Sequence, residues 1–222
     1  MKTINPDYGR LTPMASQLWH DSPMVALDLE GSGAQDRANE AILEIAAVPL
    51  TAGVPDIDSA FTSLINPGRV IPRRPWISPG LTNEVLATAP PLEKVEPHLA
   101  ELINGRWMVG HNVNVDWRLL SRCLPALRPA GLIDTLSLAR THGLTNRTLS
   151  ALVEQLQLTD LVTKSAIGSQ PHRALWDTIA AAHVLARLVD RIWPDKPPTW
   201  ETLRVTAGIA LGAEQPEQLG LF

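Results

Sequence analysis

Short apolar blocks and amphipathic stretches alternate along this chain. Met24-Val25-Ala26-Leu27 runs without a break into Asp28, Leu29 and Glu30, between Pro23 and Gly31. An apolar run of that length bounded by Pro and Gly predicts a short buried strand. Ile42 to Leu50 predicts a second strand, closed by the turn residues Thr51-Ala52-Gly53, and Ala60 to Ile65 a third. The turns between them are short, which favours an antiparallel meander, although Gly31 to Glu40 is turn-rich. Then the period changes. Pro91 to Ile103 sets Leu92, Val95, Leu99, Leu102 and Ile103 at helical spacing and closes on Asn104-Gly105. Trp107 to Gly110 predicts a fourth strand, and Val113 to Leu124 a helix stopped by Pro125. Gly131-Leu132-Ile133 predicts a fifth strand, with Asp134-Thr135 capping a helix to Arg140. Thr148 to Leu156 is a further helix, Asp160 to Pro171 a loop, and Ala174 to Ile192 the longest helix, ended by Pro194. A meander followed by alternating strands and helices predicts an α/β fold, a five-stranded mixed sheet flanked by helices.

The flanks divide the chain. Residues 1–22 are a polar lead-in without the apolar centre of a secretory signal. Residues 23–193 form the expected domain, and 194–222 a C-terminal extension. In the extension Pro197-Pro198 reads as a linker and Thr199 to Leu211 as a short helix capped by Thr199. Gly212 to Glu217 is spacer before Gln218-Leu219-Gly220-Leu221-Phe222. A length of 222 residues suits such a plan. No apolar run reaches the roughly 20 residues of a membrane helix. Cys123 is the single cysteine, which excludes an intrachain disulfide and fits a reducing, cytoplasmic setting. The net charge of −4 argues against a broad non-specific nucleic-acid binder. It leaves open an enzyme that gathers acids around metal ions. Residues 66–80 hold Arg69, Arg73 and Arg74 among prolines, an ordered loop whose arginines face either solvent or phosphates.

Three constellations carry chemistry. Strand alternation turns Asp28 and Glu30 to one face. Burying two like charges costs several kcal/mol unless a cation lies between them, and hard oxygen donors suit Mg²⁺ or Mn²⁺. The pair also reads as a strand end emerging into solvent. His111-Asn112-Val113-Asn114-Val115-Asp116 follows a strand and opens a helix, with Asn112 and Asp116 four apart on one face. His172-Arg173-Ala174-Leu175-Trp176-Asp177 opens the longest helix, and its Asp177 lies in the first turn, where the dipole favours a carboxylate. His172 closes a loop containing Gly168, Ser169 and Pro171.

Together, Asp-x-Glu, Asn-x-x-x-Asp and His-x-x-x-x-Asp in this order resemble the DnaQ-like 3′–5′ exonucleases of the DEDDh type. That family includes RNase T and the proofreading (epsilon) subunits of bacterial DNA polymerase III. The resemblance spans roughly residues 23–190 and takes in Ile42 to Val48, Ile65-Asn66-Pro67-Gly68, Gly80-Leu81-Thr82, Gly110-His111-Asn112 and Ile133-Asp134-Thr135. It implies an RNase H-like fold with Asp28, Glu30, Asp116 and Asp177 as ligands of two divalent metal ions, Mg²⁺ or Mn²⁺. It implies His172 as the general base, a role that an ordinary imidazole pKa near 6.5 suits. It further implies that Glu30, Gly31, Ser32, Asn112 and His172 meet the substrate, with the 72–82 loop helping to hold the terminal nucleotide. The product would be a nucleoside 5′-monophosphate. Three positions depart from the common pattern. Gly31 stands where a threonine is usual, Val115 where phenylalanine is frequent, and Ile77-Ser78-Pro79 lacks a histidine. These bear on substrate preference and rate.

The stretch 218–222 resembles the peptide by which bacterial replication and repair proteins bind the sliding clamp, with Gln218, Leu219, Leu221 and Phe222 as its anchors. Folding back to bury Leu221 and Phe222 is the alternative. The expected function is metal-dependent exonuclease action on single-stranded DNA or 3′ DNA ends, in replication proofreading or repair. The expected partners are the clamp and a DNA polymerase; the setting is cytoplasmic and nucleoid-associated, with no membrane. Trimming of RNA 3′ ends and a non-catalytic clamp adaptor remain open.

Overall fold

The hub of the sheet is β1 (Met24–Gly31), whose first four residues are fully buried. In the computed structural model, which describes residues 17–211, β1 pairs along its length with antiparallel β2 (Ile42–Thr51) and in parallel with β5 (Trp107–Gly110). Outward from β2 lie β3 (Val54–Pro55) and β4 (Phe61–Leu64); outward from β5 lie parallel β6 (Gly131–Asp134) and antiparallel β7 (Gly208–Ile209). The sheet is mixed, as expected, but has seven strands among the described residues rather than five. The two added ones, β3 and β7, are two residues long. Neither is long enough to show an alternating pattern, so only pairing to a neighbour defines them.

Helices cover both faces, because successive residues of a strand point to opposite sides. On one face, Ala26, Val48, Val109 and Ile133 pack under α7 (Ala174–Ile192), α4 (Thr135–Thr141), α5 (Leu149–Gln155) and α6 (Thr159–Ser165). On the other, Val25, Leu27, Ile45, Met108 and Leu132 pack against α2 (Leu92–Ile103) and α3 (Asn114–Cys123). A short α1 (Asn83–Leu86) anchors the 66–82 loop through Leu86. The helix α6 falls where a loop was expected. It buries only Val162, with Ala166 just beyond its end, while Leu161 stays exposed, so its apolar stripe is too thin to read.

Segments on both sides of residues 23–193 pack on the domain. Trp19 is buried, and Leu18 bridges to Thr199. Thr199 caps α8 (Trp200–Ala207), its side chain accepting from the Thr202 N–H. The helix stops four residues before the expected Leu211, because the chain straightens at Gly208 to add β7 to the sheet edge. A side chain at Gly208 would strike the Arg204 carbonyl. Trp200 is buried edge-on against Trp107, ring centroids 4.7 Å apart. Gln218, Leu219, Leu221 and Phe222 lie outside the described residues, as do residues 1–16. No helix is long and apolar enough to cross a membrane among the described residues.

Trp200→Ala is expected to destabilise the protein by about 3–5 kcal/mol, because it empties a buried aromatic site. Equilibrium denaturation checks this, and a loss below about 1 kcal/mol would mean that α8 contributes nothing to the core.

Candidate active site

β1 leaves the core as its side chains turn acidic. Asp28 and Glu30 sit half-buried on one face, opposite Ala46 and Glu44 of β2. The apolar face of α7 lies across β1 and β2, which delivers its first turn to the same spot. Carboxylate oxygens of Asp28, Glu30 and Asp177 all lie within 4.8 Å of one another. Asp116 stands outside that triad but close enough to act electrostatically on Asp28, and it is buried in the first turn of α3. The link from β5 to α3 is tight. A side chain at Gly110 would meet Val113 and the Leu27 carbonyl, so glycine lets α3 start against β1.

The structure brings Asp28, Glu30 and Asp177 together, with Asp116 near enough to interact with them. Asn112 takes a left-handed backbone (φ +62°), a conformation that asparagine tolerates. Its N–H donates to Asp134 Oδ1 at 2.8 Å. It precedes α3, which starts at Asn114, so it is exposed before the helix instead of sharing a helical face with Asp116. His172 is exposed at the entry to α7, also left-handed at φ +64°. Gly31 follows a bulge between Glu30 and Gly31, and a Cβ there would press on Leu119 Cδ2 at 3.1 Å. A side chain at 31 would therefore require Leu119 to shift by a few tenths of an ångström. The Ser32 hydroxyl is turned inward and accepts from the Ala41 N–H at 3.0 Å. His111 lies outside the cluster, its ring nitrogens each 2.8 Å from Thr135 Oγ1 and the Arg147 carbonyl.

Burial and mutual repulsion govern the titration of the acids. Asp28 and Asp116 are both held well above the usual carboxylate range, chiefly by burial, and their acidic neighbours add to it. Burial raises Glu30 to about 7 even though a hydrogen bond from Ser78 pulls the other way. Burial also raises Asp177 to about 6, opposed by His172. Positive charge added beside these groups would lower their pKa values and favour the ionised form. The donors are all hard carboxylate oxygens, the set that suits Mg²⁺ or Mn²⁺, so the residues fit a divalent cation.

Four further residues complete the site. Ser78 donates from its hydroxyl to Glu30 Oε2 at 2.6 Å. Glu44, 5% exposed, receives Arg173 Nε and Nη2 at 2.7 Å each. Trp76 donates from Nε1 to the Ser32 carbonyl at 3.2 Å, and the Arg74 guanidinium lies 5.4 Å from its ring centre. Beside Glu30, a cavity of about 390 Å³ is lined in part by Arg73, Arg74, Ser78 and Gly80. Sequence reasoning assigned no role to Ser78, Glu44, Arg173 or Trp76. Only Glu44 left a signal, a lone carboxylate inside the otherwise apolar Ile42–Leu50 run, which needs a cationic partner once buried.

The exonuclease family model RNase_T matches residues 25–185. The chain is 28% identical over 179 residues to DNA polymerase III subunit epsilon of Aquifex aeolicus, covering 78% of this chain and 83% of that protein. It is 32% identical over 177 residues to the PolC-type DNA polymerase III of Thermotoga maritima, covering 77% of this chain but 12% of that protein. It is 27% identical over 186 residues to the 3′-5′ exonuclease DinG of Bacillus subtilis, covering 81% of this chain and 19% of that protein. Most of the length of the latter two therefore has no counterpart here. Among solved structures, exonuclease X in complex with 5′ overhanging duplex DNA superposes with a TM-score of 0.57 and 25% identity, covering 81% of this chain and 98% of that one. Exonuclease I, at 15% identity and a TM-score of 0.56, shares the fold over 83% of this chain and 43% of its own. The RNase H-like fold expected above is the one observed.

The raised carboxyls make stability depend on pH. Unfolded, Asp177 and Glu30 titrate at 3.8 and 4.5; folded, at about 6 and about 7. Between these limits the folded state holds more protons, so stability falls as pH rises. The metal-free protein is expected to melt higher at pH 5 than at pH 7.5, by an amount equivalent to roughly 1–3 kcal/mol per group. Mg²⁺ is expected to restore the loss at pH 7.5 and do little at pH 5. Thermal melts with and without EDTA check this; a flat profile would contradict it.

Proposed function

The chain belongs to the RNase T-type exonuclease family, and from that premise we propose that it hydrolyses DNA from the 3′ end to nucleoside 5′-monophosphates. The observation that carries the reading is the convergence of Asp28, Glu30 and Asp177 within 4.8 Å, with Asp116 beside them and His172 exposed at the rim. We assign the four acids as the holders of two divalent cations. Held there, such cations would supply activation of a water and stabilisation of charge on the leaving 3′-oxygen of an in-line displacement. His172 takes the proton of the attacking water on an imidazole nitrogen. Its place before the first turn of α7 brings it next to Asp177, whose titration it influences. Ser78 holds Glu30 Oε2, which fixes the carboxylate in one orientation. We assign the backbone of Gly31 and Ser32, the side chain of Asn112 and the loop before α1 to receive the terminal sugar and base.

DNA as substrate is supported by what the relatives are named for, two being DNA polymerase III proteins and one structure holding duplex DNA. The same names support a link to a replicative polymerase and a cytoplasmic setting. The Gln218-Leu219-Gly220-Leu221-Phe222 stretch supports recruitment by a sliding clamp, which would concentrate an acidic enzyme at DNA ends.

Release of mononucleotides from 3′-labelled single-stranded DNA and from RNA of equal sequence tests the activity, with Mg²⁺ or Mn²⁺ and with EDTA. DNA is expected to be degraded in a metal-dependent way and to be preferred over RNA. Asp177→Ala is expected to abolish release, and His172→Ala to slow it by about 10²–10⁴-fold. No release from either polymer by folded protein would sink the enzyme reading and leave an adaptor. For the clamp, Leu221→Ala with Phe222→Ala is expected to abolish binding of the full chain to purified sliding clamp in a pull-down, with exonuclease rate on free oligonucleotides unchanged. Undiminished capture would refute the assignment.

A further inference from the structure

Five carboxylates crowd the site, and one of them is neutralised by the protein itself. Glu44 lies directly across from Glu30, on β2, and takes two hydrogen bonds from Arg173 at 2.7 Å. The same carboxylate accepts the Ala174 N–H at 3.3 Å. Arg173, at the cap position of α7, makes no cap bond with its own side chain, so Glu44 caps this helix from another element. Three hydrogen bonds thus tie the first turn of α7 to the sheet.

The residue just ahead of that turn is His172, left-handed at φ +64°. A non-glycine residue adopts that conformation infrequently, and the bonds around it hold it there. The surroundings here are Arg173. Its N–H donates to the Gln170 carbonyl at 3.1 Å, and its carbonyl accepts from the Asp177 N–H at 3.0 Å. The third edge of its guanidinium faces the loop before α1, Nη1 lying 3.9 Å from where a Gly80 Cβ would sit. Arg173 therefore bonds the strand opposite Glu30 through its side chain and the turn carrying Asp177 through its backbone, while its guanidinium faces the loop whose Ser78 holds Glu30. A lysine reaches one carboxylate oxygen where the planar guanidinium reaches two, so it does not fix the angle of the pair.

We propose that Arg173, clamped by Glu44, is the positioning residue for His172, setting where the imidazole stands over the acids without touching substrate itself. The proposal rests on His172 being the general base. It also separates Glu44 from the metal-holding set, since both its oxygens are spent on Arg173 and the α7 amide.

The test compares the full chain, Glu44→Gln/Arg173→Gln, and Arg173→Lys, each with His172 and with His172→Ala, on 3′-labelled single-stranded DNA. The double variant leaves no buried charge unpaired. It is expected to lower kcat by about 10–100-fold, the effect of displacing a reacting group by about 1 Å, with KM little changed. In the His172→Ala background the same change is expected to cost nothing further, because residues that act as a unit are non-additive. Amide hydrogen exchange of the protein without metal is expected to quicken at residues 171–175 and stay slow in β1 and β2. Arg173→Lys is expected to lie between wild type and the double variant, and gives the same comparison should the double variant fail to fold. An unchanged kcat, an equal loss in both backgrounds, or unchanged exchange at 171–175 would overturn the proposal. Full activity of His172→Ala alone would overturn the general-base assignment, and the proposal with it. That outcome is distinct, because it appears before Arg173 is altered.

Discussion

Carboxylates set side by side in a protein interior repel one another and lose their hydration, and no arrangement of the backbone alone removes that cost. Everything around the end of β1 serves to impose it. Asp28 and Glu30 extend from four fully buried residues, so the strand cannot slip to move them apart. The helix α7 is buried along most of its length, so Asp177 in its first turn has no freedom to withdraw. Gly110 brings the start of α3, and with it Asp116, against β1. The two apolar layers supply the free energy that holds four acids in a place they would otherwise leave. The raised carboxyls are the mark of that burial, to which the acidic neighbours add, and a divalent cation would offset both.

The acids of this region fall into two kinds, and the arginines distinguish them. Glu40 is held by Arg118 at 2.8 Å and lies near Arg122, fastening α3 to the turn that precedes β2. Glu44 is held by Arg173 and fastens α7 to β2. Asp134 accepts from Leu136 and Asn112 backbone amides, so it caps α4 and orders the β5–α3 link at once. These three serve the scaffold. The four at the centre are set against one another. A chain of modest negative charge thus concentrates repulsion at one point and neutralises it elsewhere.

Two departures from the common DEDDh pattern acquire a physical meaning in the fold. Gly31 sits where a side chain would crowd Leu119, so its absence of a Cβ belongs to the packing of α3. Ser78 stands in a segment without the usual histidine and spends its hydroxyl on Glu30. The loop before α1 is latched to the strand end at two points, by Ser78 and by Trp76 on the Ser32 carbonyl. Its link to the acids is therefore direct.

What the sequence by itself determined is local. The apolar run into Asp28 and Glu30 named a buried strand and the face its acids share. The caps at Asp134 and Thr199, and the helix from Ala174 to Ile192, were legible for the same reason, since capping and periodicity involve residues within a turn of one another. The order of the acidic motifs indicated the family, and with it the expectation that distant acids converge. Only the tertiary structure decided the pairings that cross elements: Glu44 with Arg173, Ser78 with Glu30, and Gly208 with the edge of β6. It also moved Asn112 off the helical face that its spacing from Asp116 suggested, by starting α3 only at Asn114. No local pattern encodes these contacts. Each depends on where a crossover returns the chain, and a buried charge finds its partner wherever the packing of the two apolar layers brings one within reach.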